Sequence, residues 1–221
     1  MPILVNRLIR SKRTTIALIV ERDGSVTVRA PLKLSAKSIE EFVAKHANWV
    51  EKKREEVRAM QPEQPRQYLA GEQFLFLGQP YSLEIVRNTD KTLELADSFK
   101  LSESEQHNAE TVFRSWYRTQ AARIIGERVA YFAKLFGLDV RSMRITSART
   151  RWGSCSPKGV LSFSWRLLMT PPEVIDYVVV HELAHTVHHN HSKRFWDLVE
   201  KWMPDYRERR KQLRQYGQES I

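Results

Sequence analysis

The sequence is short of cysteine and has no long apolar run. Cys155 is the only cysteine in 221 residues, so no disulfide can form within the chain and nothing requires an oxidising compartment. The longest apolar run, Ile16–Val20, has five residues, too few for a signal-peptide core or a membrane span. These absences predict a soluble cytoplasmic protein that has no membrane partner.

Acidic residues are outnumbered by basic ones. The 26 Asp and Glu against 36 Lys and Arg give a formal net charge of +10 and a pI near 9.8. This charge suits an anionic partner such as nucleic acid, a nucleotide or an acidic lipid, and it equally suits a solvated basic surface. With 42% hydrophobic residues, the chain can form one sizeable core with an appendage, or two small domains.

The first hundred residues are patterned for strands around one helix. Two β-rich runs flank Asp23-Gly24 and predict a hairpin over residues 13–30. Residues 35–60 predict a single amphipathic helix, with Ser38 and Glu41 as a capping box and Trp49 on its apolar stripe. Prolines at positions 62 and 65 predict a linker, and four short apolar runs between 73 and 101 predict an antiparallel sheet that includes the first hairpin.

The second half predicts a helical core with two strands. A long helix is expected from about Ser104 to Phe136, and strands are expected at 143–147 and 160–165, joined by a polar, turn-rich connection over residues 149–159. Thr170 is the expected N-cap of the next helix. We therefore expect three parts: a hairpin and helix in 1–60, a small sheet region in 61–103, and a larger core in 104–221 that contains this next helix.

The sequence His181-Glu182-Leu183-Ala184-His185 lies in that next helix. The two histidines are one turn apart, so both imidazoles can reach one metal ion with Glu182 beside them. Zinc prefers nitrogen ligands, and a catalytic site leaves one of about four positions to a water whose pKa falls from about 15.7 to about 7. Glu182 is then the expected general base.

Two residues can supply the third metal ligand. His191 lies ten residues after His181, and a helix that ends near His189 with a left-handed turn at Asn190 would bring it back to the metal. Glu200, on the following helix, is the alternative. We favour His191.

Several motifs, in order, resemble the YgjP-like metallopeptidase domain family. They are residues 151–156, 165–168, 175–185 and 190–196, and the likeness covers roughly residues 7 to 215. One departure is Ser164, which stands where the family's Asn-Trp-Arg triplet has Asn. Some family members are named as UTP pyrophosphatases, and all are described as metal-dependent hydrolases.

The resemblance implies a zincin-like fold related to the SprT-like proteases. It also implies one zinc ion per chain, held by His181, His185 and His191, with Glu182 as the catalytic carboxylate. The expected fold class is therefore α+β, with a small antiparallel β-rich N-terminal part and a zincin-like C-terminal core. Its cleft is expected between the metal helix and the 149–159 connection.

Three functions remain open at this stage. A metallopeptidase-like enzyme would attack a peptide carbonyl with the activated water, whereas a metal-dependent nucleotide (UTP) pyrophosphatase would attack a phosphoanhydride. Arg149, Arg151 and Arg166 are the candidate substrate-binding residues, although Arg151 equally fits a structural role beside Trp152. The third function is a DNA-associated module with structural zinc, but a closed structural site has no need of Glu182.

Overall fold

The computed structural model describes residues 3–21, 23–59, 66–87 and 89–216. The chain divides into two compact units, residues 1–66 and 67–221. The predicted linker between Pro62 and Pro65 lies outside the described residues, and the three-part division expected from the sequence stays a prediction. No helix of the described part is long and apolar enough to cross a membrane.

The first unit contains three strands, β1 (Arg7–Ser11), β2 (Ala17–Val20) and β3 (Val26–Pro31). They form a sheet in the order β1-β3-β2. The predicted hairpin is confirmed, because β2 and β3 pair antiparallel with Ala17 opposite Arg29. The sequence did not predict β1, which pairs in parallel with β3.

Two helices replace the single helix expected after this sheet, α1 (Ala36–Lys45) and α2 (Ala47–Ala59). The chain breaks at His46, whose Nδ1 lies 2.7 Å from the carbonyl oxygen of Phe42. Residue 46 of an unbroken helix would donate its backbone N–H to that carbonyl, but here it bonds to Val43 instead.

The predicted capping box of this segment is also wrong. The N-cap is Ser35, whose hydroxyl accepts the backbone N–H of Ser38. The apolar stripe is only partly right, because Ile39 and Val43 are buried whereas Trp49 is 46% exposed. The break at His46 shifts the register of the second helix, and Trp49 then falls outside the buried face.

All four strands predicted for the start of the second unit are present: β4 (Gln73–Phe76), β5 (Gln79–Val86), β6 (Leu93–Leu95) and β7 (Phe99–Ser102). They form a sheet in the order β4-β5-β7-β6. The expectation of one antiparallel sheet shared with the first hairpin is wrong, because β5 and β7 are parallel and the two sheets are separate.

A long helix, α3 (Ala109–Phe136), forms the centre of the second unit. It begins about five residues later than predicted, because a short 3-10 segment, Glu103–Asn108, precedes it, and Gly137 ends it in the left-handed conformation at φ 67°. One side of α3 is buried along its whole length, from Ala109 through Tyr117 and Ile125 to Phe132.

A second small sheet follows α3. The two predicted strands are β8 (Ser142–Thr146) and β10 (Val160–Ser164), which pair in parallel. The connection between them contains an unpredicted strand, β9 (Gly153–Cys155), which pairs antiparallel with β10. The order is β8-β10-β9, so β9 lies at one edge of the sheet.

Three helices complete the chain: α4 (Pro172–Ala184), α5 (Lys193–Trp202) and α6 (Tyr206–Gln215). Thr170 is not the N-cap of α4, because its hydroxyl donates to Leu167 and so closes the preceding 3-10 turn. From Tyr177 to Ala184 every side chain of α4 is buried. Tertiary burial therefore overrides the strand propensity of the valines at 178–180.

Candidate metal centre

Three imidazoles meet at the C-terminal end of α4. The Nε2 atom of His191 lies 3.0 Å from that of His181 and 3.1 Å from that of His185. These three histidines also form the one group of potential metal ligands found among the described His, Cys, Asp and Glu side chains, with ligand atoms within 4.8 Å of one another. The structure thus brings together the three histidines that the sequence singled out.

The backbone after α4 determines where His191 lies. The helix ends at Ala184, five residues before the predicted end, and a turn follows in which the backbone N–H groups of Thr186 and Val187 bond to Leu183 and Ala184. Asn190 does not adopt the expected left-handed φ. In the described part of the chain, the non-glycine residues with positive φ are Tyr68 and Leu77. Its side-chain oxygen instead accepts the backbone N–H of Ser192, just before α5.

All three imidazoles favour the neutral form. Burial lowers the pKa of His181 to about 2, and the neighbouring His185 and His191 add to that effect. Burial is also the main cause that lowers the pKa values of His185 and His191. Neutral imidazole is the form that ligates metals, because each ring then keeps one nitrogen lone pair.

A backbone contact orients His185 within this group. Its Nδ1 lies 3.1 Å from the carbonyl oxygen of His188 and can donate to it, which leaves the Nε2 lone pair for the centre of the cluster. His181 Nδ1 is buried and has no hydrogen-bond partner among the described residues.

Aromatic side chains of α5 hold the imidazoles in place. The fully buried ring of Phe195 lies 4.5 to 4.9 Å from all three imidazole centroids. Trp196 stacks on His191 with ring centroids 5.5 Å apart and an interplanar angle of 19°. Both follow His191 by about one helical turn, a spacing that could have indicated their role in the sequence.

Glu182 is the buried carboxylate of the site. It is 2% exposed, and its Oε2 atom has no hydrogen-bond partner among the described residues. Burial raises its pKa to about 8, and the charge of Arg151 opposes that shift. A buried oxygen without a hydrogen-bond partner costs stability. A chemical task, such as accepting a proton, would explain why the protein keeps it.

Gly153 of β9 lies directly against this carboxylate. A Cβ atom added to Gly153 would be 2.6 Å from Oε1 and 2.7 Å from Cγ of Glu182. A side chain at position 153 would therefore displace the carboxylate of Glu182. Sequence reasoning missed this role, since Gly153 stood in a segment interpreted as a turn-rich connection.

The other sequence candidates lie in different environments. Arg166 stacks over Trp165 at 4.2 Å and donates to the carbonyl oxygen of Ser147, and Arg149 is exposed. Glu200 is outside the histidine cluster and forms an ion pair of 3.3 Å with Arg207. Cys155 is partly buried, and burial raises the pKa of its thiol, so it is not an activated nucleophile.

The donor set fits a divalent metal ion. Zinc–nitrogen bonds of about 2.0 to 2.1 Å at tetrahedral angles would separate two ligand nitrogens by roughly 3.3 Å, close to the spacing of these Nε2 atoms. Three neutral imidazoles with an adjacent carboxylate are the ligand types that zinc prefers, and cobalt, nickel or manganese can also bind such a set.

Comparison with known proteins agrees with this geometry. The family model of the YgjP-like metallopeptidase domain matches residues 14–216. The chain belongs to the YgjP-like metallopeptidase domain family. This YgjP-like protein is therefore a metal-dependent hydrolase, and the family resemblance noted in its motifs is confirmed.

Solved structures add two similar chains, both metallopeptidase zymogens. Abylysin of Pyrococcus abyssi is 22% identical, with a TM-score of 0.40 over 44% of this YgjP-like chain and 98% of its own. Jannalysin of Methanocaldococcus jannaschii is 18% identical, with a TM-score of 0.38 over 42% of this chain and 95% of its own. No curated protein sequence matches the chain.

Proposed function

We propose that this protein is a zinc-dependent peptidase in which His181, His185 and His191 hold the metal and Glu182 is the general base. The observation that carries the proposal is the convergence of three Nε2 atoms, separated by 3.0 and 3.1 Å, from histidines of which one is the direct neighbour of a buried glutamate in α4. Bound zinc would polarise the scissile carbonyl and acidify a water molecule.

The protein side chains supply the rest of the chemistry. Ionised Glu182 accepts a proton from the attacking water and passes it to the leaving amine, and the burial that raises its pKa makes the carboxylate a stronger base for the first step. Phe195 covers the imidazoles with an apolar ring and so limits solvent at the reacting atoms. Arg151 provides positive charge near Glu182.

The edge strand β9 favours a peptide as substrate. Its hydrogen bonds to β10 run through residues 152, 154 and 156, so the backbone N–H and C=O groups of Gly153 and Cys155 point away from the sheet. An extended peptide can pair by strand addition with the groups of Cys155, which is partly buried, whereas Gly153 itself is buried. Because Gly153 also contacts Glu182, such a peptide would lie beside the proposed base.

The experiment compares two substrate classes in the wild type and in Glu182→Gln. Zinc-loaded protein is given an unfolded protein with a quenched fluorescent peptide library, and separately a nucleoside triphosphate panel that includes UTP. Zinc content is measured for both proteins. We expect peptide cleavage by the wild type and its loss in the variant, with zinc retained.

Two results would contradict the proposal. Release of pyrophosphate that disappears in Glu182→Gln, without any peptide cleavage, would make the enzyme a nucleotide pyrophosphatase. Full activity of the variant on either substrate class would remove Glu182 from the general-base role.

A further inference from the structure

A second polar cluster lies on the face of the β8-β10-β9 sheet that points away from Glu182. Side chains alternate along paired strands, so Arg144 and Thr146 of β8 share a face with Ser162 and Ser164 of β10. The opposite face carries Ile145 and Phe163, which belong to the apolar core. The missing side chain of Gly153 points to this core face, where Glu182 lies.

This polar face lines a small cavity of about 100 Å³. Arg151 and Ser154 add polar groups to its wall beside Arg144, Thr146, Ser162 and Ser164, and Trp152 and Gly153 also line it. At about 30 Å³ per molecule, the cavity has room for roughly three waters or one small polar group.

The hydroxyl groups of the cavity floor are held in defined orientations. Ser164 donates to the carbonyl oxygen of Ala148 at 2.8 Å, and Thr146 donates to that of Phe163 at 3.3 Å. Ser162 accepts the Nε–H of Arg144 at 2.9 Å, and this bond fixes the plane of the guanidinium group. The proton of Ser162 itself then remains for an acceptor inside the cavity.

Neither guanidinium group of the wall forms an ion pair within 4.0 Å in the described part of the chain, although the charge of Arg151 acts on Glu182 at longer range. Among the described residues, the terminal nitrogens of Arg144 and all guanidinium nitrogens of Arg151 also lack a hydrogen-bond acceptor. Most arginines of α3, by contrast, have a glutamate or aspartate partner. The cavity therefore presents donors and positive charge without a protein acceptor.

We propose that this cavity is a binding site for one oxyanion group, either a phosphate or a carboxylate. Arginine donates in pairs to the oxygens of such groups, and the Ser162 hydroxyl adds a further donor at the floor. Its wall includes Gly153, which contacts Glu182, and Arg151, whose charge acts on Glu182, so the site adjoins the proposed base but is lined by none of the three histidines.

The test is thermal unfolding of zinc-loaded protein in increasing inorganic phosphate, at constant ionic strength maintained with chloride. The same titration uses N-acetylglutamate α-amide, with its glutamine twin as the uncharged probe. Variants Arg144→Met and Arg151→Met remove the two proposed ligands. Arg141→Met is the matched control, since Arg141 is exposed just before β8 and does not line the cavity.

We expect an oxyanion to raise the unfolding midpoint of the wild type and of Arg141→Met. The apparent affinity should fall by about tenfold or more in Arg144→Met and Arg151→Met, since each variant removes charge-assisted hydrogen bonds to the oxyanion. Stabilisation by phosphate alone identifies a phosphate site, and stabilisation by the glutamate probe but not its twin identifies a carboxylate site.

His191→Ala is titrated in parallel, because phosphate can also bind a metal ion. Loss of the effect in His191→Ala, together with its survival in Arg144→Met, would place the anion at the histidine cluster and overturn the proposal. So would the absence of any stabilisation by either probe, or an equal loss in Arg141→Met.

Discussion

Gly153 and Glu182 are in direct contact, although they lie on different elements and 29 positions apart in the chain. The contact closes the space on one side of the carboxylate. A methyl group at position 153 would overlap Oε1, Cγ and Cδ of Glu182, at distances of 2.6 to 2.9 Å, so the carboxylate would have to move.

Gly153→Ala should therefore lower activity without removing the metal. A displacement of the proposed general base by about 1 Å can cost about 100-fold in rate, so we expect a fall of at least tenfold in kcat. The measurement pairs steady-state kinetics on the substrate class that proves active with metal analysis of both proteins.

Gly126→Ala is the matched control for this change. Gly126 lies inside α3, where an added Cβ would meet only Met143 Cε at 3.7 Å. Activity should be unchanged and stability should rise by about 0.5 to 1 kcal/mol, because alanine favours a helix interior. If both variants lost activity equally, the contact with Glu182 would not be the cause.

Local signals in the sequence were sufficient to predict helix α4 and the three histidines of the cluster. The short-range patterns are the prolines at the start of α4, the spacing of His181 and His185, and the ten-residue distance from His181 to His191. They predicted a cluster that the structure brings together. Where α4 ends depends on packing, and the sequence-based prediction placed it five residues too late.

The opposite side of the site depends on contacts that no short window contains. Strand β9 has three residues in a turn-rich segment, and it is a strand only because Leu161 and Phe163 of β10 pair with it. The contact of Gly153 with Glu182 follows from that pairing, and the proposed role of Arg144 follows from the pairing of β8 with β10. Sequence reasoning selected Arg149, Arg151 and Arg166, which lie near the motifs, and did not consider Arg144.

Loss of one proposed ligand should weaken zinc binding. In His191→Ala, the two remaining imidazoles keep their places on α4, but the third Nε2 atom is gone. We expect at least about a 100-fold loss of affinity, since even changes to groups behind the ligands cost 10- to 100-fold. Competition with a chromogenic chelator measures it.

His189→Ala serves as the control for this variant, because His189 is exposed and outside the cluster. Its zinc affinity should match that of the wild type. Unaltered affinity in His191→Ala would exclude His191 as a ligand.

Removal of the metal should destabilise the whole fold of the second unit. The cluster joins α4 to the start of α5, so a bound ion cross-links the two helices. An ion present at about 1,000 times its dissociation constant stabilises the native state by about 4 kcal/mol. Calorimetry with and without a chelator should show a lower unfolding temperature after chelation, and readdition of zinc should restore it.

The same scan on His191→Ala separates this effect from nonspecific action of the chelator. Its unfolding temperature should respond only weakly to metal removal. An equal response in the two proteins would mean that the stabilising ion binds elsewhere.

The ion pair of Arg128 and Asp176 should stabilise the position of α4, the helix that carries His181 and Glu182. Arg128 of α3 donates through two nitrogens, at 2.6 and 2.8 Å, to the two carboxylate oxygens of Asp176 on α4. Its guanidinium also lies 4.8 Å from the Tyr131 ring centroid and 5.0 Å from that of Phe132, and the bond to Asp176 is the main cause that raises the pKa of Arg128. Asp176 is the more buried partner, so its loss or isolation is the larger perturbation.

Arg128→Met should therefore lower the free energy of unfolding by about 1 to 2 kcal/mol, measured by urea denaturation. The exposed pair of Arg123 and Glu127 on the same helix is the control, and Arg123→Met should cost less than about 0.5 kcal/mol. A double-mutant cycle with Asp176→Asn isolates the pairwise energy from the loss of ring contacts. If the coupling energy is near zero, the stacking of Arg128 on the two rings accounts for its contribution, and the ion pair does not hold α4 against α3.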